Sequence, residues 1–136
     1  MRTAKTSVTM ADIEVRVLGE YEIDGALAAF DAFPWQEEVQ RSKRLEAEGK
    51  DCVSPDMTFT ISPYHFAVTV HESPTMLDVE LCVPKKAKLL GLIPTTSTKF
   101  FVFKGISRDD FQKLLRSFFS LPASEQLAFY TGIKNV

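Results

Sequence analysis

One histidine and two carboxylates in the middle of the chain have types and spacing that suit chemistry. His71 precedes a short turn, and Asp78 and Glu80 follow it two residues apart, which places both on one face of a strand. If the turn is tight, His71 lies opposite Asp78 and diagonal to Glu80. A neighbouring carboxylate fixes the imidazole tautomer and raises its basicity, so this pair suits a general base. No serine or cysteine is placed beside the pair by its spacing, so an enzyme that uses His71 with Asp78 is a secondary hypothesis.

The second histidine, His65, shares a strand face with His71 by parity, which suggests a metal site. Six residues at ~3.3 Å each separate the two by roughly 20 Å, far more than two bonds of ~2 Å to one ion allow. The 6 glycines are scattered, without the Gly-x-Gly or Gly-Lys-Ser/Thr spacing of a phosphate loop. We therefore predict neither a metal nor a cofactor.

Two further features suggest binding. Trp35 is a candidate because tryptophan is enriched at binding hot spots, although an anchor that holds a weakly amphipathic helix on a sheet is the favoured interpretation. The lysine-rich residues 85–88 fall at a predicted hairpin tip. Lysines there either meet an acidic partner or protect apolar strands from aggregation, and the second role is preferred.

Composition limits the class of protein. A chain of 136 residues with 45% hydrophobic and 25% charged content fits one soluble domain. The formal charge of -2 argues against nucleic acid as a partner. Residues 1–10 contain no apolar run, so we predict that they form a disordered arm, that the protein is cytoplasmic and that it has no membrane partner. Residues 11–136 are predicted to form a single domain. The 2 cysteines, Cys52 and Cys82, fit reduced thiols.

The elements that must position these residues begin with a strand. Ile13, Val15 and Val17 alternate with polar residues, which predicts a first strand with one buried face. A short helix from Asp24 follows, and Pro34 then begins a second, largely charged helix that stops near Gly49.

Five apolar-rich segments between Met57 and Lys104 predict an antiparallel meander. Three alternate cleanly, at residues 57–61, 64–71 and 77–83. The last two, at residues 89–93 and 100–103, are apolar at consecutive positions, so we expect both of their faces to be covered. The cover is one of three things: the chain's own helices, a second subunit or a ligand.

Two helices end the chain. Ser107 is placed to cap the first, whose Phe111, Leu114, Leu115 and Phe118 recur at helical spacing, and Pro122 begins the second. The predicted fold is therefore α+β, an antiparallel meander of about five to six strands: a first strand, a helical pair, a five-strand meander, and two C-terminal helices packed on the sheet.

Three functions fit this architecture. The first is a small non-enzymatic interaction module, of immunity or inhibitor type or an adaptor, that binds another protein; its candidate binding residues are Trp35, His65, His71, Asp78 and Glu80. The second is an apolar-ligand binder with a pocket between sheet and C-terminal helices, lined by Leu90, Leu92, Phe101, Phe103, Phe111 and Leu115. The third is the enzyme described above. A first strand left open at the sheet edge would also permit a homodimer.

Overall fold

The structure is a computed structural model that describes residues 2–134, except for the side chains at 86–89, 95, 96, 123 and 134. The described chain forms six strands and four helices: β1 (Ala4–Thr9), β2 (Val15–Tyr21), α1 (Ile23–Ala32), α2 (Trp35–Ala47), β3 (Asp56–Ile61), β4 (Tyr64–Ser73), β5 (Met76–Leu89), β6 (Ile93–Ile106), α3 (Arg108–Ser120) and α4 (Ala123–Lys134). The strands form one sheet in the order β2-β1-β3-β4-β5-β6, with every neighbouring pair antiparallel. The predicted α+β fold, with its helical pair and two C-terminal helices, is confirmed.

Residues 4–9 form strand β1, which contradicts the disordered arm predicted for residues 1–10. β1 lies between β2 and β3, and it buries Ala4, Thr6 and Val8 almost completely. Small and polar residues dominate this segment, so alternate positions differ little in hydrophobicity and the strand pattern is weak. Because β1 lies between two other strands, its alternate side chains are buried, although the composition of the segment does not predict this burial.

The first predicted strand is real but faces the other way. β2 is an edge strand, and Ile13, Val15 and Val17, which we expected to be buried, are 48%, 62% and 62% exposed. The register explains the error: Val8 of β1 is paired with Arg16, so residues 15 and 17 point away from the core.

The meander after α2 has four strands, not five. β5 and β6 are 14 residues each, and the segment predicted as a strand at 89–93 contains the turn between them, residues 90–92, flanked by the paired Leu89 and Ile93. The predicted tip at residues 85–88 is therefore part of β5. Leu90 and Leu92 are 88% and 84% exposed at this turn, so their predicted place in a pocket against the C-terminal helices is wrong.

The core lies between the sheet and the helices. Phe66 of β4 contacts Phe111 and Phe118 of α3, with ring centroids 6.0 and 5.5 Å apart, while Phe30 of α1 lies 4.5 Å from Phe111. At the β6 edge Phe101 lies 5.8 Å from Tyr130 of α4. The buried side chains of all four helices join the same apolar cluster, so the helices form one layer on one face of the sheet.

The remaining predicted pocket residues belong to this core. Phe111 and Leu115 are fully buried, Phe101 is 3% exposed, and Phe103 packs against the cluster from its margin. These side chains fill the interface between sheet and helices. The apolar-ligand hypothesis therefore loses the lining on which it depended.

Candidate functional site on the outer face of the sheet

The sheet face opposite the helices, here called the outer face, collects most of the predicted binding residues. The strand registers align its side chains in rows; one row runs through Val17, Ser7, Thr58, Ala67, Glu80 and Val102. Counted by the same parity, the outer face carries Lys5, Ser7, Thr9, Val15, Val17, Asp56, Thr58, Thr60, His65, Ala67, Thr69, His71, Asp78, Glu80, Cys82, Phe100 and Val102.

Apolar side chains flank the outer face on both sides of a polar centre. Val15 and Val17 lie on the β2 edge, and Phe100 and Val102, 57% and 38% exposed, lie on the β6 edge. We expected the late apolar strand to be covered on both faces. Phe101 and Phe103 do face the helices, but the alternate residues Phe100 and Val102 are exposed, because the four helices all lie on the inner face. The outer face therefore exposes a pair of apolar side chains at each of its two edges.

A chain of hydrogen bonds joins three side chains of different strands and loops. His71 Nδ1 lies 2.9 Å from Ser54 Oγ, and His71 Nε2 lies 2.9 Å from Asp78 Oδ2. When the neutral imidazole donates its Nε2–H to the Asp78 carboxylate, Nδ1 is left to accept from the Ser54 hydroxyl. The predicted contact between His71 and Asp78 is present, and the structure adds a serine.

Sequence reasoning missed Ser54, although the hairpin register contains the signal. Asp56 pairs with Thr69, and the N–H of Val70 donates to the carbonyl oxygen of Pro55 at 3.1 Å. One further step along this register brings residue 54 opposite residue 71. Ser54 precedes β3 and lies next to a proline, so its own neighbourhood in the sequence resembles an ordinary turn.

The carboxylate of the cluster is held by the backbone of β6. Asp78 pairs with Thr69 and therefore reaches His71 diagonally, not from the directly opposite position that we predicted. Its Oδ1 accepts the N–H of Gly105 at 2.9 Å. Gly105 has φ +64° and lies where the pairing of β5 with β6 shifts register, a bulge that favours glycine. Glu80 pairs with Ala67 in the next row, away from the position predicted for it beside His71.

The cluster opens to solvent. The side chains of His71 and Asp78 are 53% and 30% exposed. They line a shallow cavity of about 180 Å³ together with Thr69, Val79, Glu80, Val102 and Lys104. The hydrogen bonds hold the imidazole in one orientation, but water has access to it.

The other two predicted binding residues lie apart from this cluster. His65 Nδ1 contacts Thr60 Oγ1 at 3.0 Å, and it stands six residues from His71 on the same strand, roughly 20 Å away. Trp35 is 4% exposed, and its indole N–H donates to the carbonyl oxygen of Phe30 at 2.8 Å. Trp35 is thus a buried anchor, but its aromatic contacts are with Phe30 and Phe33 of the helical pair, whereas the favoured interpretation placed it against the sheet. It is not available at the surface as a hot spot.

Two ionisable groups of the outer face have shifted pKa values. Burial raises the pKa of the Asp56 carboxyl, and a hydrogen bond with Thr9 opposes this only in part. Burial also raises the pKa of the Cys82 thiol, with a smaller contribution from the negative charge of Glu80. The thiol therefore stays protonated at neutral pH and is a weak nucleophile.

The raised pKa of Asp56 predicts a pH-dependent effect of Asp56→Asn. The unfolded chain ionises Asp56 near its ordinary pKa of ~3.9, below the pKa of the folded state, so ionisation destabilises the folded protein as the pH rises. We expect Asp56→Asn to unfold at a higher urea concentration than wild type at pH 7, and the two proteins to converge as the pH falls through the carboxyl range. Asp51→Asn, at an exposed position in the preceding loop, is the control. A difference in unfolding urea concentration between Asp56→Asn and wild type that does not change with pH would contradict the raised pKa of Asp56.

No family model, curated protein or solved structure matches this chain. Over residues 2–134, no helix is both long and apolar enough to cross a membrane.

Proposed function

We propose that the protein is a small interaction module, of immunity or inhibitor type or an adaptor, that binds another protein through the outer face. The observation that carries this proposal is the one-sided arrangement of the helices. It leaves a six-strand face with a polar centre between the exposed pairs Val15 and Val17 on one side and Phe100 and Val102 on the other.

The polar centre supports the proposal because its side chains are already ordered. His71 is hydrogen-bonded to both Ser54 and Asp78, Asp78 also accepts the backbone N–H of Gly105, and His65 is hydrogen-bonded to Thr60. Groups held in one rotamer lose little conformational entropy when a partner binds, so more of the interaction energy appears as affinity. The centre can supply directional hydrogen bonds, and the apolar flanks can supply buried area.

The two free cysteine thiols support an inference about the cellular compartment in which the protein binds this partner. Cys52 and Cys82 are both free and partly buried. Free thiols persist in reducing compartments, so we infer that the protein works in the cytoplasm.

Site-specific photo-crosslinking tests the proposed face. A photo-reactive residue at position 58, in the middle of the outer face, is expected to capture one partner in a stoichiometric amount from the native host. The same residue at position 40, exposed on α2 on the helix side, is the control. Equal capture from both positions, or no stoichiometric partner from position 58, would overturn the proposal.

The hydrogen-bonded chain from Ser54 to Asp78 favours a second candidate function, hydrolysis of an ester or a related acyl compound. His71 Nδ1 would take the proton of the Ser54 hydroxyl as its oxygen attacks the acyl carbon, and would return that proton to the departing alcohol, which leaves the acyl group on Ser54. Water, deprotonated by the same nitrogen, would then attack the acyl carbon and release the acid as the proton returns to Ser54 Oγ. Asp78 would stabilise the imidazolium through Nε2. This candidate ranks second because the exposure of His71 lets water compete for the same hydrogen bonds.

An activated ester measures this candidate directly. If Ser54 is a nucleophile, Ser54→Ala and His71→Asn should each lower the rate of p-nitrophenyl acetate hydrolysis about tenfold or more. Ser7→Ala, which deletes the hydroxyl of another serine on the outer face, should leave the rate unchanged. Hydrolysis at the wild-type rate in both Ser54→Ala and His71→Asn would eliminate the enzymatic function and leave the binding function standing.

A further inference from the structure

The hairpin of β5 and β6 extends beyond the rest of the sheet. β4 pairs with β5 only as far as Cys82, whereas pairing between β5 and β6 continues to Leu89 and Ile93. Residues 84–98, here called the distal ribbon, are thus two-stranded. At ~3.3 Å per residue, its six-residue strands reach roughly 20 Å past the edge of β4.

The tip of the distal ribbon exposes aliphatic side chains on an unfavourable backbone. Leu90, Leu92 and Ile93 are 88%, 84% and 57% exposed. Leu90 has φ +54° and Gly91 φ +74°, a conformation that suits glycine, asparagine or aspartate but is uncommon for leucine. Exposure and strain at one residue are two costs that a turn residue such as asparagine would avoid. Such an outlier motivates the hypothesis that leucine at this position has a function.

The charge of the distal ribbon is opposite to that of the rest of the chain. Residues 84–98 contain three lysines and no acidic residue. Because the whole chain has a formal charge of -2, the remainder carries -5. Lys85 is exposed, and the backbone positions of Lys86 and Lys88 lie four and two residues from Leu90, within roughly 13 Å of the tip. The tip therefore combines aliphatic exposure with a local positive charge.

The composition of the distal ribbon distinguishes between classes of anionic partner. Protein interfaces are rich in Tyr, Trp and Arg and poor in Lys, and single-stranded nucleic acids stack on aromatic and Arg side chains. Residues 84–98 contain none of Tyr, Trp, Phe or Arg. Aliphatic side chains that enter a bilayer interface, with lysines against anionic headgroups, need no such residues.

We propose that the distal ribbon docks on anionic lipid bilayers, with Leu90, Leu92 and Ile93 in the headgroup region and the net positive charge of the ribbon attracted to the lipid charges. This surface is separate from the outer face and goes beyond the proposed protein-binding function. It also replaces the expectation of no membrane partner, which was based on the lack of a spanning segment. Docking of this kind is reversible and weakened by salt, because part of it is electrostatic.

Vesicle flotation tests the proposal with the full chain. Wild type should float with vesicles of phosphatidylserine and phosphatidylcholine in equal parts, less so at high salt, and not with phosphatidylcholine alone. Leu90→Asn and Leu92→Ser should each weaken binding about tenfold, because each removes an aliphatic side chain from the interface. Leu90→Asn suits the turn better than leucine does, so its loss of binding cannot be attributed to misfolding. Met76→Ser, 63% exposed at the other end of β5, should bind as wild type does.

A tryptophan at the tip separates insertion from adsorption. With vesicles that contain phosphatidylserine, the tryptophan fluorescence of Leu92→Trp should shift to shorter wavelength, whereas that of Met76→Trp should not. Buried Trp35 contributes the same background fluorescence in both variants. Wild type that does not bind the anionic vesicles, or Leu90→Asn and Leu92→Ser that bind as wild type does, would overturn the proposal. Loss of a crosslinked protein partner in Leu90→Asn, without vesicle binding by wild type, would instead assign the tip to a protein. Phe100→Asp should leave vesicle binding unchanged, so failure of the outer face is distinguishable from failure of the tip.

Discussion

Phe66→Ala is expected to lower the free energy of unfolding by about 3–5 kcal/mol, the range found for large aromatic residues removed from cores. Phe66 is fully buried, and its ring lies 6.1 Å from Phe59 on the neighbouring strand. It also contacts Phe111 and Phe118 on α3. Truncation therefore leaves a cavity at the junction of the sheet with the helix layer, where rigid rings on three sides cannot collapse to fill it.

Such a loss is a large fraction of the stability of an ordinary domain, which is about 5–15 kcal/mol. Urea denaturation followed by circular dichroism measures it. Phe100→Ala is the matched control, since it removes the same side chain from an exposed position of the same sheet and should change stability by about 0.5 kcal/mol or less. Similar losses from both variants would show that the core is not centred on the inner face.

Phe100→Asp is expected to weaken binding of the protein partner by about 2 kcal/mol, roughly thirtyfold, with the fold retained. Phe100 is 57% exposed on the outer face, opposite Cys82 of β5. A partner that covers the β6 flank would bury this ring, and a carboxylate in its place would lose that buried area and be desolvated without a counter-charge. Titration of the purified, crosslink-identified partner by calorimetry measures the change.

The control for this binding experiment is Phe129→Asp. Phe129 is 38% exposed on α4, on the helix side of the sheet, so the same substitution there should leave affinity unchanged. Equal losses of affinity in the two variants would mean that the net charge of the protein, and not the outer face, governs the interaction. Unchanged affinity in Phe100→Asp would remove the β6 flank from the proposed interface.

Local patterns in the sequence were sufficient for several elements. Alternation over residues 57–61 and 64–70 predicted β3 and β4 together with the face they bury, because a hairpin with a short turn pairs neighbouring residues. Ser107 caps α3 as predicted, its Oγ accepting the N–H of Asp110 at 3.1 Å. Gly49, with φ +69°, follows α2 where the helix was expected to stop. In each case the decisive interaction spans only a few residues.

Contacts between distant segments decided the rest. Val15 and Val17 alternate as a half-buried strand should, but pairing with β1 turned them to the outer face. Apolar residues 89–93 have the pattern of a strand, but the long pairing of β5 with β6 makes residues 90–92 a turn.

The candidate site shows the same division. His71 and Asp78 were found from their residue types and spacing, while Ser54 and the Gly105 N–H joined them through the β3–β4 register and the β6 bulge. Sequence alone therefore determined the α+β class, most elements and one hydrogen-bonded pair, because these depend on local periodicity and capping. Tertiary structure decided which faces are open and which groups meet, because a shift of one residue in strand pairing moves every side chain to the opposite face.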